Sequence, residues 1–478
     1  MNALKILLVF IGFHSYLILS AQKPIDVQLS NFIDSSPPSS IEEFLDADEK
    51  MAYFICFDLP SLRTDAGPSF HYYLKQLNLD DLTVNSFDLS YVLDGDKLVY
   101  KGALYVGNKI YCFYKGRQKL KENLYAIEVD KEELTLSKHP VLIITGSITS
   151  NTEFIFDVSL DKRKFSIITS EQTNLEGERL SFVYSFDADL NLLFAADPKK
   201  NLLKNEIKIK DYKIDNQGRV DLLIKYTKPT IPKTFEYYLI SYEKNENDFL
   251  IWDVGDSIND MQIELDTAGK IFITGFYGWK RMALTDEYGF RGIISEIIDP
   301  YRNEISQNRS QELPSELLKQ LDKDVLKEYL FHYHFIEFHI AENGYKILVF
   351  EKILDDILII GLNPDGEINW FKIISRKQVF SPEPAPYKFI SLKSYILNDD
   401  INLLYNSNNV LSGREQLNLL SINILNGSSM EFLLFDSEIT KTRFVVKKSK
   451  LFNEKNIFLY GDKQMPLTRK SRIAIIKF

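Results

Sequence analysis

The sequence predicts an all-β protein, a β-propeller built from four-stranded antiparallel blades, and three observations support this fold class. Helical periodicity is nearly absent, whereas short runs rich in β-branched and aromatic residues, bounded by Asp, Asn, Gly and Lys, recur along the chain. One of these runs returns at a nearly fixed period. Each period contains four such runs, which favours propeller blades over a solenoid, whose parallel coils have a shorter period.

The period is measured on the strand-like run that follows the first turn of each repeat. These runs are centred on Phe54, Ile110, Phe165, Val220, Ile271, Lys346, Ile401 and Ile457. Six of the seven separations lie between 51 and 56 residues, and the separation from Ile271 to Lys346 is 75. Eight repeats predict eight blades, and a seven-bladed ring with one terminal repeat outside it is the alternative.

The repeat around Lys346 shows the four strands of a blade most clearly. Its apolar runs are residues 335–341, 345–351, 357–363 and 368–374. The residues Pro364-Asp365-Gly366 separate the last two runs, and each of these residue types presets or tolerates turn dihedrals. The sequence therefore predicts an antiparallel sheet for this repeat.

The two ends of the chain complement each other. The final repeat stops after three strand-like runs, whereas the run IDVQLS at residues 25–30 precedes the first complete repeat. The spare N-terminal strand can fill the missing edge of the last blade, which leaves no open sheet edge. We therefore expect one propeller domain over residues 22–478, closed by an N-terminal strand.

The long separation is explained by an insertion at residues 311–331. Pro314 suits a first helical turn, and apolar residues recur at helical spacing with charged residues between them. These apolar residues are Leu317, Leu318, Leu321, Val325 and Tyr329. The pattern predicts an amphipathic helix that caps one side of the ring, and a partner-docking helix or lid is the alternative.

Residues 1–21 are typical of a signal peptide. Lys5 precedes an apolar run, and the small residues Ser20 and Ala21 follow it. We expect cleavage and a secreted or periplasmic protein, with an uncleaved anchor as the competing interpretation. No later run is long and apolar enough to span a membrane.

The two cysteines, Cys56 and Cys112, fall on equivalent strands of neighbouring predicted blades. Packed sheets lie about 10 Å apart, whereas a disulfide needs Cα atoms within about 7 Å. We therefore expect two buried free thiols.

Several function classes are disfavoured. The 478 residues carry a formal charge of −10, which argues against a nucleic-acid partner. The chain has no G-x-S-x-G elbow, no phosphate-binding glycine loop and no EF-hand loop. The histidines His332 and His334 share one face of a strand and His339 lies on the other face, so the three cannot reach one ion without a bulge. We expect no metal site and no cofactor.

The tryptophans separate into two kinds. Trp252 and Trp370 lie in the fourth strand of their repeats, where packing between blades is the simplest role. Trp279 lies between the second and third strands of its repeat, in a segment that we interpret as a loop. Tyr277, Trp279, Lys280 and Arg281 make this segment aromatic and cationic within an acidic protein, and large aromatic residues are enriched at interfaces. These four residues are the predicted binding site.

The segment LIIGLNPDGEINWFKI resembles the blade pattern of quinoprotein-type and WD40-like propellers, in which a strand, an Asp-Gly turn and a Trp-bearing strand recur. The layout of the whole chain is similar to that of uncharacterised secreted bacterial propeller-like proteins. The resemblance implies the fold. The chain lacks the adjacent cysteines and repeated tryptophans of quinoprotein dehydrogenases, so the resemblance implies no redox cofactor.

The sequence favours a monomeric secreted or periplasmic binding module for a protein or carbohydrate ligand, and an enzyme is less favoured. A glycan-active hydrolase or lyase with carboxylates in the channel is one alternative, and a structural cell-envelope protein is another. Paired, desolvated acids in the channel would favour the enzyme. An empty channel beside an exposed aromatic patch would favour binding.

Overall fold

The structure of this chain is a computed structural model. It describes residues 25–34, 39–58, 71–118, 121–145, 148–149, 151–172, 178–197, 207–228, 234–243, 249–256, 258–281, 288–321, 333–352, 356–376, 392–409, 414–463 and 470–478. The predicted signal peptide lies outside these residues. Within the described residues, no helix has the length and apolar character needed to cross a membrane.

Eight antiparallel blades form the molecule, which confirms the predicted fold class and blade number. Blade 1 contains β3 (Ser39–Ala47), β4 (Met51–Asp58), β5 (Tyr72–Asn78) and β6 (Val84–Asp88), and a small hairpin of β7 (Val92–Leu93) and β8 (Asp96–Lys97) follows it. Blade 2 contains β9 (Val99–Val106), β10 (Lys109–Gln118), β11 (Lys121–Asp130), β12 (Thr135–Leu136) and β13 (Val141–Thr145), and blade 3 contains β14 (Thr152–Val158), β15 (Lys164–Gln172), β16 (Glu178–Asp187) and β17 (Leu192–Ala196). Blade 4 contains β18 (Ile207–Ile214), β19 (Val220–Lys228), β20 (Thr234–Tyr242) and β21 (Phe249–Asp256).

The second half of the chain repeats this plan. Blade 5 contains β22 (Ile258–Leu265), β23 (Ile271–Arg281), β24 (Tyr288–Asp299) and β25 (Glu304–Glu312). Blade 6 contains β26 (Tyr333–Ile340), β27 (Lys346–Lys352), β28 (Asp356–Leu362) and β29 (Ile368–Ser375), and blade 7 contains β30 (Leu392–Leu397), β31 (Asp400–Asn409), β32 (Arg414–Asn423) and β33 (Ser429–Asp436). Blade 8 contains β34 (Thr442–Phe444), β35 (Lys450–Phe452), β36 (Asn456–Lys463) and β37 (Lys470–Lys477). Two short helices, α1 (Ser315–Leu321) and α2 (Ser437–Thr440), and a 3-10 turn at Val446–Lys448 complete the described elements.

The N-terminal strand closes the ring, as the sequence predicts. Strand β1 (Asp26–Leu29) pairs antiparallel with β37, with Asp26 opposite Lys477 and Leu29 opposite Ala474. A second short strand, β2 (Ile33–Asp34), also pairs with β37. The last blade therefore takes its outer edge from the start of the chain, and both termini of the ring are held in one sheet.

The first strands of the blades surround the central axis. Contacts between first strands link β3 to β9, β9 to β14, β14 to β18, β18 to β22, β22 to β26 and β26 to β30, and β35 of blade 8 returns to β3. The side chains of the first strands therefore line an axial channel, while the hydrophobic core lies between neighbouring blades. One such core joins Phe44 and Phe54 of blade 1 to Phe458 of blade 8, with ring centroids 4.6 and 5.3 Å apart.

The two cysteines occupy equivalent positions in adjacent blades. Cys56 lies in β4 and Cys112 in β10, and both are buried free thiols. This confirms the prediction made from their spacing.

The inserted helix is shorter at its start than predicted. Gln311 and Glu312 belong to β25, because they continue its pairing with β24, and the helix α1 begins at Ser315. Leu317 is fully buried in the core shared by blades 5 and 6, and Leu318 packs against that core. The described part of the insertion therefore packs on the core between blades 5 and 6, and residues 322–331 lie outside the described residues.

Trp370 packs between blades 6 and 7, which confirms its predicted role. Its Nε1 donates a hydrogen bond to the Ile424 carbonyl oxygen at 2.7 Å. Its ring covers Gly361, where a Cβ atom would stand only 2.3 Å from the Trp370 Cε2 atom. Trp252 likewise packs against the core between blades 4 and 5.

Candidate functional site

Carboxylates on the first strands connect neighbouring blades around the axis. The axis-facing edge of each first strand carries backbone N–H groups that no fifth strand can pair, and a buried donor needs a partner. At three blade boundaries, a carboxylate of the preceding blade is the acceptor for such an N–H group. Asp157 Oδ2 accepts from Ile214 N at 3.1 Å, and Asp211 Oδ2 accepts from Ile263 N at 2.9 Å. Glu337 Oε2 accepts from Ser394 N at 2.6 Å. These channel acids therefore connect neighbouring blades of the ring.

Carboxylates of three blades influence the pKa of Tyr212 in β18. Burial and the negative charges of Asp157, Asp211 and Glu43 together raise the pKa of Tyr212 to about 12, although Lys213 opposes them. Glu43 belongs to blade 1, Asp157 to blade 3 and Asp211 to blade 4. At neutral pH the phenol therefore keeps its proton and can donate a hydrogen bond.

Glu43 differs from the other channel acids because its carboxylate is available. Its side chain is exposed to solvent, yet the surrounding channel wall desolvates it and raises the pKa of its carboxyl group, while Lys450 and Lys448 of blade 8 lower it. Among the described residues, no group hydrogen-bonds to this carboxylate. The two lysines instead donate to backbone carbonyl groups of β3.

The opposite wall of the channel contains a coupled acid–base set. Burial raises the pKa of Asp157 to about 7 and also raises the pKa of Asp211, and Lys213 opposes both shifts. Lys213 Nζ lies 2.9 Å from Glu264 Oε1, and both side chains are close to 30% exposed. We name Glu43, Asp157, Asp211, Tyr212, Lys213 and Glu264 the axial cluster. It can accept hydrogen bonds at several oxygens, donate from Tyr212, and exchange a proton at Asp157 near neutral pH.

A Ser, a His and a Glu also meet at the channel, between blades 6 and 7, without forming a nucleophilic triad. Ser394 Oγ lies 2.7 Å from His339 Nε2, and it also donates to Glu337. Ser394 is only 1% exposed, so no substrate can reach its hydroxyl. Although burial raises the pKa of Glu337, His339 and Lys393 lower it to about 2, so this carboxylate remains ionised and holds the two blades together.

The histidine-rich strand β26 contains a bulge between Phe335 and Glu337. His334 is exposed, and His332 lies outside the described residues. Within the described part of the chain, no three potential ligand side chains come together as a metal site.

A group of three lysines lies at the start of β18 and the end of β19, beside blade 5. Lys208 stands directly opposite Lys225 in the strand pair, and Lys210 Nζ lies 2.6 Å from Asp260 Oδ1 of blade 5. Burial, Lys210 and Lys208 together lower the pKa of Lys225 to about 8, although Asp260 opposes them. We name Lys208, Lys210 and Lys225 the lysine cluster.

The residues singled out from the sequence lie in a strand, which corrects their assignment to a loop. Tyr277, Trp279, Lys280 and Arg281 belong to β23, because pairing with β24 continues as far as Arg281 opposite Tyr288. Tyr277 is half-buried, and burial and Glu312 raise the pKa of its hydroxyl. The side chains of Trp279, Lys280 and Arg281 lie outside the described residues.

The comparisons with known proteins indicate only a general likeness. No family model matches the chain, and no curated protein matches it. Among solved structures, the β-propeller domain of the Trilobed protease from Pyrococcus furiosus is 10% identical with a TM-score of 0.39, covering 82% of this chain and 95% of that one. A polysaccharide lyase of family PL25, an ulvan lyase, is 8% identical with a TM-score of 0.42, covering 94% and 96%. Drosophila Plexin A, solved with Semaphorin 1b, is 9% identical with a TM-score of 0.37, covering 94% and 87%.

Proposed function

We propose that this protein is a secreted or periplasmic binding module that holds a hydroxyl-rich ligand of the carbohydrate class in its axial channel. The observation that carries the proposal is that carboxylates from three blades act electrostatically on Tyr212 and that one of them, Glu43, is exposed and accepts no hydrogen bond from the described residues. Carboxylate oxygens accept from sugar hydroxyl groups, the Tyr212 hydroxyl donates to them, and tyrosine faces pack against sugar rings. The chain would act as a monomer.

We keep Tyr277, Trp279, Lys280 and Arg281 as a second contact in this proposal. They end β23, the second strand of blade 5, and β22 of the same blade contributes Glu264 to the axial cluster. Glu264 stands opposite Phe272, so a ligand must extend along β23 from Phe272 to Tyr277, about 17 Å at a rise of about 3.3 Å per residue, to reach both regions. In this proposal the axial cluster binds the ligand, and the end of β23 contacts the part of the ligand that extends out of the channel.

The test is a thermal-shift panel of neutral and acidic oligosaccharides on residues 22–478, run on the wild type, Glu43→Gln and Glu304→Gln. A ligand that binds only the folded state raises the melting temperature by mass action. We expect a shift with one saccharide class that Glu43→Gln loses and Glu304→Gln, on the exposed outer strand β25, retains. A flat panel, or equal shifts in both variants, would contradict the proposal. A flat panel would favour a structural cell-envelope role.

A second candidate function is a glycan-active hydrolase or lyase. The specific observation in its favour is that two carboxyl groups on different blades, Glu43 and Asp157, both have raised pKa values and both act on Tyr212. Two such groups across a channel are what general acid–base cleavage of a glycan requires. This candidate ranks second because Asp157 already accepts a hydrogen bond from Ile214 N in the joint between blades 3 and 4. Chromatography of the bound saccharide after prolonged incubation tests this candidate. Fragments formed by the wild type and not by Asp157→Asn would support it.

A further inference from the structure

We propose that Tyr72 and Tyr100 recognise an acetamido group on the saccharide in the channel. This inference rests on the proposed function, because it names the chemical class of the same ligand. It also makes a separate claim about two tyrosine side chains, which can fail by itself.

The rings of these two tyrosines are stacked at the boundary between blades 1 and 2. Tyr72 begins β5, Tyr100 is the second residue of the first strand β9, and their ring centroids lie 4.5 Å apart. Both rings pack against the core between the two blades. Each residue nevertheless remains partly exposed. The core therefore fixes the two rings in place while leaving part of each side chain open to a ligand.

The hydroxyl groups of Tyr72 and Tyr100 differ from those of neighbouring tyrosines. Within the described part of the chain, neither hydroxyl group makes a hydrogen bond. Neither oxygen belongs to the buried polar atoms that lack a partner, so both reach solvent. Five other tyrosines of this region donate to an oxygen atom of the protein, namely Tyr53, Tyr91, Tyr105, Tyr111 and Tyr114. Because a partly buried tyrosine hydroxyl usually has a partner, the two adjacent groups are donors available to a ligand.

The charges beside the two rings favour a neutral group on the ligand. Two exposed carboxylates of β3, those of Glu42 and Glu43, act electrostatically on the tyrosines and would repel an anionic substituent. Lys448 and Lys450 act on Glu43 and would oppose a cationic substituent. A neutral group that both accepts and donates hydrogen bonds therefore fits this part of the channel best.

An acetamido group has this chemistry. Its carbonyl oxygen has two lone pairs and accepts from the two tyrosine hydroxyl groups, its N–H group donates to a carboxylate of β3, and its methyl group packs against an aromatic ring. Burial raises the pKa of both tyrosines, so both keep the proton that they donate at neutral pH. A sugar hydroxyl group in the same place would make fewer of these contacts.

The experiment is isothermal titration calorimetry of residues 22–478 with chitotetraose, cellotetraose, the deacetylated chitosan tetramer and tetragalacturonate. Chitotetraose and cellotetraose differ only at C2 of each sugar, which carries an acetamido group in the first and a hydroxyl group in the second. The variants Tyr72→Phe and Tyr100→Phe each remove one hydroxyl group and keep the ring. Tyr91→Phe is the matched control, because Tyr91 is partly buried against the same core and its hydroxyl donates to the Ser137 carbonyl oxygen.

We expect the wild type to bind chitotetraose about tenfold more tightly than cellotetraose. Tyr72→Phe and Tyr100→Phe should each bind chitotetraose about three- to tenfold more weakly, through loss of one hydrogen bond to the ligand, and should bind cellotetraose nearly as the wild type does. Tyr91→Phe should bind both as the wild type does. The melting temperature of each variant shows that it is folded.

Four outcomes would overturn the inference: equal affinity of the wild type for chitotetraose and cellotetraose, tighter binding of either charged tetramer, wild-type affinity in either Tyr72→Phe or Tyr100→Phe, or an equal loss in Tyr91→Phe. Glu43→Gln separates this inference from the proposed function. If both neutral tetramers bind equally and Glu43→Gln loses both, only the acetamido inference fails. If Glu43→Gln binds chitotetraose normally while Tyr72→Phe and Tyr100→Phe do not, the tyrosine pair is the site and the axial ligand proposal fails. If no tetramer binds, both fail.

Discussion

Two ionic clusters within a few residues of each other in blade 4 differ in their access to solvent. The junction cluster, Asp215, Arg219, Asp221 and Tyr301, lies between blades 4 and 5. Arg219 Nη2 lies 3.0 Å from Asp221 Oδ2, Nη1 lies 3.2 Å from Asp215 Oδ2, and the three charged side chains are 0–2% exposed. In the axial cluster, Lys213 and Glu264 remain 28% and 30% exposed.

This difference in solvent exposure indicates which charged groups a ligand can contact. In the junction cluster, Arg219 also donates to the Gly269 carbonyl oxygen and stacks on Tyr301 at 4.7 Å, so both blades use its guanidinium group. A buried pair of this kind adds little net stability, although removing one partner is costly. In the axial cluster, Glu43 is exposed, and no described residue hydrogen-bonds to it. The junction cluster joins blades, and the axial cluster can also bind.

The largest expected effect is that of Arg219→Met in the junction cluster. This change leaves two buried carboxylates, Asp215 and Asp221, without their cation, which typically costs about 3–5 kcal/mol. Urea unfolding of the variant and the wild type measures the loss. The control is Arg302→Gln, because the Arg302 side chain is 74% exposed in its pair with Asp299 and should contribute no more than about 1 kcal/mol. Equal effects of the two changes would contradict the distinction between buried and accessible pairs.

An apolar contact at a blade boundary provides the next test. Gly361→Ala would place a Cβ atom against the Trp370 ring between blades 6 and 7, and overpacking of this kind costs about 1–3 kcal/mol. The double variant with Trp370→Phe should lose less than the sum of the two single changes, because the smaller ring makes room for the methyl group. Thermal unfolding of the wild type, the two single variants and the double variant measures these losses of stability. Strictly additive losses would show that the contact is not the cause.

The sequence predicts the ring well and the channel poorly, for a physical reason. The period, the closing strand and the packing of Trp370 follow from patterns that every blade must satisfy. The residues that face the axis depend on bulges, such as the register shift between Ile209 and Asp211 in β18, which reverse the alternation of faces within a strand. The axial cluster was therefore missed. An acidic residue within an otherwise strand-like run, such as Asp211 of β18, was the available signal.

The bounds of β23 were misjudged for a related reason. Glycine and charged residues around Trp279 are typical of a loop, yet pairing with β24 carries the strand through Arg281. Cross-strand hydrogen bonds therefore override local composition at this end of blade 5.

A pH-dependent effect is expected from Asp157→Asn. The folded-state pKa of Asp157 is about 7 against an ordinary value of 3.8, so between these values the folded protein binds more protons than the unfolded chain. The free energy of unfolding therefore falls as pH rises from about 4 to about 7 and is then independent of this group. Asp157→Asn keeps an acceptor for Ile214 N–H and removes this contribution. Urea unfolding across that interval should show a shallower slope in the variant, with Asp189→Asn, an exposed aspartate, as the control. Parallel slopes would contradict the prediction.

The smallest effect is expected where both partners of a pair are accessible. Lys109 Nζ lies 2.9 Å from Asp189 Oδ1, with side chains 37% and 73% exposed. This hydrogen bond raises the pKa of Lys109, yet water screens the pair, and exposed ion pairs contribute about 0–1 kcal/mol. Lys109→Gln should therefore change the free energy of unfolding by less than any variant above, and the difference should disappear in 1 M salt. A loss that persists in salt would mean that distance, rather than access to water, determines what an ion pair contributes in this ring.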